Sequence, residues 1–94
     1  MQRGIKNLTR FKSLLLKEEF RREIIIKGIE KAGSMRQLGR ILGYTCSAPN
    51  WSIKQILDGN QYFPSDRLLK LIDFLKIDEN EVLQNIIDSR YKKF

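Results

Sequence analysis

The sequence predicts an all-α domain of five short helices, and three observations lead to this prediction. Apolar residues recur three and four positions apart along most of the chain, the spacing that places them on one helix face. Glycines follow several apolar runs, where helices commonly end. Hydroxyl and carboxyl residues precede several runs, where helices commonly begin. The 94 residues suffice for one modest hydrophobic core.

The first helix is predicted from about residue 12 to residue 32. Leu16, Phe20 and Ile24 recur every fourth position, and charged residues occupy the other face. Gly33 stands where a left-handed residue would end the helix.

The second helix follows at once. Ser34 and Gln37 form an S-x-x-Q capping box, in which the hydroxyl accepts from the backbone N–H three residues on. Gly43 ends this helix after about three turns. Its apolar stripe consists of Met35, Leu38, Ile41 and Leu42.

The third helix is predicted at 49–57. Pro49 suits the first helical turn, because the N–H that proline lacks has no partner there. Ser47 is a suitable cap, and Gly59 closes the helix. The residues expected to point inward are Ile53, Ile56 and Leu57.

Two further helices complete the prediction. Ser65 or Asp66 caps helix 4, "DRLLKLIDFLKI", and Asp78 with Glu81 caps helix 5. The apolar residues assigned to helix 5 are Val82, Leu83, Ile86 and Ile87.

The chain carries a formal net charge of +7, and the excess lies in its first half. Residues 1–45 contain eleven Lys and Arg against four Glu, whereas residues 46–94 contain seven of each sign. Such a distribution favours a polyanionic partner, most often a nucleic acid. The alternative is a solvated Lys-rich surface.

Several classes of function are disfavoured. No stretch is apolar enough to span a membrane, and the N-terminus lacks the apolar core of a signal peptide. The single cysteine, Cys46, is typical of a reducing compartment, so we expect a cytoplasmic protein. The absence of histidine removes the commonest general base and the usual metal-ligand sets. We therefore expect no catalysis, no metal, no cofactor and no small-molecule substrate.

Four segments together resemble a known family: "MRQLGRILGY", "SIKQILDG", the loop residue Pro64, and "LLKLIDFLKIDENEVL". Their order and most of their spacings resemble the helix-turn-helix domain of phage repressors and Cro proteins, the lambda repressor-like family. The resemblance covers residues 34–83. The predicted organisation is a basic N-terminal arm or helix extension at residues 1–12, a helix-turn-helix domain at 13–88 and a basic C-terminal tail at 89–94.

The sequence departs from the family pattern at two places. Gly39 stands where the family usually has a small residue such as alanine, and glycine also permits the close helix approach. The segment from Gly43 to Gly59 is roughly four residues longer than the corresponding segment usually is in the family, whose turn between these helices is short. The turn between helices 2 and 3 is therefore predicted to be enlarged within "YTCSA".

The resemblance implies that helix 3 enters the major groove of duplex DNA. The base-contacting positions then fall on Asn50, Trp51 and Gln55, with Ser52 beside them. Asn and Gln side chains can each pair bidentately with adenine. The alternatives are that Asn50 caps the helix, that Gln55 is merely solvated, and that Trp51 packs inward over Tyr44 and the neighbouring cysteine.

The resemblance also implies contacts to the DNA backbone. The candidate residues are Ser34, Arg36, Gln37 and Arg40 of helix 2, Lys54 of helix 3, and Arg3 and Lys6 of the arm. The arm has an alternative, in which Ile5, Leu8 and Phe11 dock onto helix 1.

These features predict sequence-specific binding of double-stranded DNA, as in a transcriptional regulator. A homodimer would use helix 5 or the loop at Tyr62 and Phe63. Two alternatives remain: a protein-interaction module with a degenerate helix-turn-helix, and a nucleic-acid binder without sequence preference.

Overall fold

A computed structural model describes residues 7–91 of the chain. In chain order the elements are a 3₁₀ turn (Asn7–Arg10), β1 (Phe11–Leu16), α1 (Glu18–Ala32), α2 (Met35–Ile41), α3 (Pro49–Leu57), β2 (Phe63–Pro64), α4 (Ser65–Leu75), α5 (Glu79–Leu83) and β3 (Ile86–Tyr91). The all-α prediction is wrong, because the three strands form an antiparallel sheet in the order β2-β1-β3. α2, α3 and α4 lie where the sequence predicts helices. No helix within the described range is long and apolar enough to cross a membrane.

The first predicted helix starts too early, because residues 11–16 form β1. Lys17 has an extended ψ of 142°, so the helical backbone begins only at Glu18. Leu16 and Phe20 are four positions apart but lie on either side of this junction. The helical spacing therefore continues through the break, and Lys17 makes no side-chain cap bond that would mark it.

The last predicted helix is also too long. α5 ends at Leu83, and Ile86 and Ile87 belong to β3. β3 pairs with β1, from Leu16 opposite Ile86 to Phe11 opposite Tyr91. The helical dimer surface predicted for this segment is therefore absent from residues 86–91. Local spacing cannot indicate the pairing, since the two strands lie at opposite ends of the chain.

Of the four predicted helix caps, two are present and two are not. Ser34 Oγ accepts from the backbone N–H of Gln37 at 3.0 Å, as predicted. Asp78 also caps α5 as predicted. Its Oδ1 accepts from the N–H of Asn80 at 3.1 Å, two residues on, rather than from that of Glu81. The cap predicted at Ser47 is wrong, because α3 begins without a side-chain cap bond.

The described residues before β1 pack into the core. For this part of the chain, the docked alternative is therefore correct and the free arm is not. Leu8 is fully buried and Phe11 is nearly so, whereas Ile5 lies outside the described residues. The backbone N–H of Leu8 donates to Glu79 Oε2 at 2.8 Å. Ser65 Oγ donates to the carbonyl of Phe11 at 2.6 Å, so this buried hydroxyl does not serve as the predicted cap of α4.

The core lies between the sheet and the helices, and every described element except β3 contributes a fully or nearly fully buried side chain to it. Its apolar residues are Leu8, Phe11, Leu14, Leu16, Phe20, Ile24, Ile25, Leu38, Leu42, Ile53, Ile56, Leu57, Phe63, Leu68, Leu71, Ile72 and Val82.

One arginine is buried within this core. Arg21 of α1 is 7% exposed, and its Nε donates to the carbonyl of Leu57 at 3.1 Å. Its NH1 donates to the carbonyl of Leu16 at 2.8 Å. The guanidinium therefore joins the end of β1 to the C-terminal end of α3, where the helix dipole favours a positive charge.

We expect Arg21→Met to lower the free energy of unfolding by about 2–4 kcal/mol, because the Leu16 and Leu57 carbonyls lose their charged donor. Methionine keeps much of the unbranched stem, so packing changes little. Arg22→Met is the matched control, since Arg22 is exposed on the same helix and should change the stability by less than about 0.5 kcal/mol. Urea unfolding followed by circular dichroism measures both. Equal effects would show that the buried guanidinium has no special structural role.

Candidate nucleic-acid interface

α2 and α3 pack directly against each other at Gly39 and Pro49. A Cβ atom built on Gly39 would lie 2.7 Å from Pro49 Cβ and 2.8 Å from the Pro49 carbonyl oxygen, closer than such atoms can approach. Gly39 therefore permits the close helix approach, and Pro49 occupies the first turn of α3 as predicted. This contact fixes the N-terminal half of α3 against α2.

The connection between these helices, residues 42–48, is held by α4. Arg67 NH1 donates to the carbonyl of Leu42 at 3.2 Å, and the guanidinium lies 4.6 Å above the centre of the Tyr44 ring. Gly43 has a φ of +100°, which turns the chain close to Arg67. Burial raises the pKa of Tyr44, and Arg67 acts in the opposite direction. The cation–π contact between Arg67 and Tyr44 thus holds the long connection against α4.

The predicted base-contacting residues do not all share one face of α3. Successive side chains turn by about 100° around the axis. Trp51 and Gln55 therefore project together away from the core, with Lys54 beside them. Asn50 and Ser52 lie on opposite flanks of that face; Asn50 is exposed and Ser52 is half-buried.

Trp51 is 57% exposed, so the alternative in which it packs inward is wrong. The space above Tyr44 is taken by Arg67, and Cys46 is itself exposed. The indole therefore does not pack against the enlarged connection. The indole is therefore open to contact by a partner.

Two polar side chains on the outward face of α3 have partners within the chain. Lys54 Nζ lies 2.7 Å from Asp58 Oδ2, an exposed ion pair one turn apart. Asn60 Nδ2 donates to Gln55 Oε1 at 3.4 Å, a long and weak bond. Asn50 makes no side-chain hydrogen bond within residues 7–91, so its amide is free for a ligand.

α2 presents a positively charged surface beside α3. Arg36, Gln37 and Arg40 are exposed, and neither arginine has an ion-pair partner among the residues that the structure describes. Arg3 and Lys6, the backbone contacts predicted in the arm, lie outside the described residues.

A groove of about 690 Å³ opens between α3, the loop at residues 60–62 and the outer face of the sheet. Ser52 lines it from α3, and Ser13 and Arg90 line it from the sheet. Ser13 and Arg90 are paired across β1 and β3, which places their side chains on the same sheet face. This groove therefore adjoins the Ser52 flank of α3.

Tyr62 lines the groove and contacts two charged residues of β3, of which only Arg90 also lines it. The Tyr62 hydroxyl donates to Asp88, and the guanidinium of Arg90 lies 4.7 Å above the ring centre. The hydrogen bond to Asp88 raises the pKa of Tyr62, and the same bond lowers the pKa of Asp88. Asp88 thus orients the ring on which Arg90 stacks.

Lys12 and Arg90 also line the groove, and neither is among the site residues predicted from the sequence. Neither has a local signal, because both reach the groove only when β1 pairs with β3. Lys12 stands at an irregularity of β1, where Phe11 pairs with Tyr91 and Ser13 with Arg90. The bulge lets Phe11 face the core while Lys12 stays exposed.

Within residues 7–91, no group of three or more His, Cys, Asp or Glu side chains lies close enough together to hold a metal ion. Comparison of the chain with protein-family models, with curated proteins and with solved structures gave no match.

We expect Gly39→Ala to destabilise the fold, even though alanine is more favourable than glycine inside a helix by about 1 kcal/mol. The new methyl would overlap Pro49, and relieving such overpacking costs about 1–3 kcal/mol. Arg40→Ala, at the exposed neighbouring position, is the control and should leave stability within about 0.5 kcal/mol. Thermal unfolding measures both, and a stabilised Gly39→Ala variant would contradict the tight contact.

Proposed function

We propose that the protein binds double-stranded DNA in a sequence-dependent manner, with α3 in the major groove, as a transcriptional regulator does. One observation carries the proposal: α3 packs along one side against α1 and α2 and leaves Trp51 and Asn50 exposed, with Gln55 half-buried beside them. A helix held in this way is rigid enough to present side chains to base edges.

Base recognition in this proposal falls to the amides. Asn50 has an unengaged amide, and Gln55 gives up only its weak bond from Asn60 on meeting a base. Each can pair bidentately with adenine, which discriminates against other bases by about 1–3 kcal/mol. Trp51 supplies apolar surface for a thymine methyl group or a deoxyribose.

The positive charges have the complementary task of positioning the helix. Arg36 and Arg40 on α2 have no acidic partner among residues 7–91, so their charge is available to phosphates. Lys54 must exchange Asp58 for a phosphate, which costs little because the pair is exposed. Arg3 and Lys6 of the arm add to the same attraction.

The exposed indole also supports a second candidate function, a protein-interaction module. Tryptophan is enriched in the residues that dominate protein–protein binding energy. Asp58, at the C-terminal end of α3, would repel DNA but would suit a mixed-charge protein surface.

Selection of bound duplexes from a random pool, at two salt concentrations, separates these functions. The proposal predicts enrichment of one sequence whose binding survives higher salt, because base contacts do not depend on counterion release. Absence of binding even at low salt would favour the interaction module, and equal binding of all duplexes would favour a non-specific binder. Two symmetric half-sites in the selected sequence would indicate a homodimer.

We expect Asn50→Ala and Gln55→Ala to relax base preference at one or two positions, each losing about 1–3 kcal/mol of discrimination. Arg36→Ala should weaken binding to all sequences alike, since it removes only a phosphate contact. Competition binding with singly substituted sites measures the difference. Uniform weakening by all three variants would refute the division of roles.

Trp51 is the only tryptophan of the chain, so its fluorescence reports on α3 directly. We expect acrylamide to quench it efficiently in the free protein, because the indole is 57% exposed. Saturating duplex should reduce that quenching. Unchanged quenching in a complex of demonstrated affinity would place the DNA elsewhere on the surface.

A further inference from the structure

We infer that the groove between α3 and the sheet holds the DNA backbone beside the recognition helix, with Lys12 and Arg90 as phosphate ligands. The inference rests on the proposed function and adds a second contact surface to it. It concerns the sheet, which forms no part of the helix-turn-helix and which the sequence analysis does not predict.

Geometry provides the first argument. An α-helix with its side chains is about 10–12 Å across, and the major groove of DNA is about 12 Å wide. A helix that enters the major groove therefore fills it. Any protein surface that adjoins a flank of the helix must then meet the sugar–phosphate backbone at that edge. The groove adjoins α3 at Ser52, so it lies where the backbone would pass.

The chemistry of the lining provides the second argument. Eight of the ten described lining residues are Lys, Arg, Ser, Tyr, Asn or Gln, the side chains that donate hydrogen bonds to phosphates and sugars in protein–DNA complexes. The exceptions are Pro64 and Asp66, and Asp66 lies 3.9 Å from the guanidinium of Arg67, which offsets part of its charge.

The arrangement of Arg90 is the third argument. A guanidinium stacked on an aromatic ring directs its N–H groups outward in its own plane, where they can bind a phosphate. Arg90 stacks on Tyr62, and Asp88 is engaged by the hydroxyl of that tyrosine. No salt bridge joins Arg90 to an acid within residues 7–91. Arg90 is also close enough to Asp88 to lower the pKa of that carboxyl, but the two form no salt bridge.

The bulge at Lys12 is the fourth argument. Regular alternation would turn this side chain toward the core, and the register shift instead leaves it exposed on the groove. Bulges often serve to redirect a side chain at a binding site. Lys12 and Arg90 therefore provide two positive charges from the sheet side of the groove, opposite Ser52.

The test compares the double variant Lys12→Ala/Arg90→Ala with the wild type on a selected duplex over a range of salt. Each lost phosphate contact should reduce the slope of log K against log salt by about 0.9 and the affinity at 0.1 M salt by roughly tenfold. Arg22→Ala/Lys27→Ala, on the exposed face of α1, removes the same charge outside the groove and serves as the control. Circular dichroism confirms that both variants fold.

A gain of affinity provides a readout that misfolding cannot imitate. Asp66→Asn removes the one acid among the described lining residues, so duplex binding should tighten by several-fold, whereas Glu30→Gln on α1 should have less effect. The inference is overturned if the groove variants bind as their controls do while the wild type binds duplex well; the proposed function then stands. If the wild type binds no duplex even at low salt, both are overturned.

Discussion

The buried guanidinium of Arg21 connects the parts of the molecule on which a binding surface depends. Its two hydrogen bonds join the carbonyl of Leu16, where β1 ends, to the carbonyl of Leu57, where α3 ends. A charged group in a core is tolerated only when its donors are satisfied, so this pairing permits one relative position of strand and helix. The exposed face of α3 and the outer face of the sheet are consequently fixed with respect to each other.

The sheet brings residues 11–16 and 86–91, far apart in the sequence, together on one surface. β1 is the central strand, with β2 on one side and β3 on the other, and its bulge places Phe11 in the core and Lys12 on the groove. Two side chains hold the backbone at the start of this strand. Glu79 accepts a hydrogen bond from the N–H of Leu8, and the hydroxyl of Ser65 donates one to the carbonyl of Phe11. In the proposed complex, walls that are already folded bind a ligand without first being ordered, which lowers the entropic cost of binding.

The sequence predicts the local features of this fold and fails on the distant ones. The cap at Ser34, the helix start at Pro49 and the tight approach at Gly39 depend on neighbouring residues or a single helix contact, and all three are confirmed. The strands are not predicted, because Leu16 continues the helical spacing of α1 and Ile86 continues that of α5. Strand pairing between distant segments overrides both patterns. The same long-range pairing creates the groove, so no local motif indicates that Arg90 lines it.

The exposed residues of α3 and the charges around it narrow the kind of partner that this surface suits. A protein partner could bury Trp51, but it would also have to match Arg36, Arg40, Lys12 and Arg90, which have no ion pairs within the described residues. Burying an unmatched charge costs far more than one indole contributes. Duplex DNA offers both chemistries side by side, since thymine methyl groups and sugars lie within the groove and phosphates border it. The combination of one apolar side chain and flanking cations without ion pairs is the basis on which we propose DNA rather than a protein as the partner.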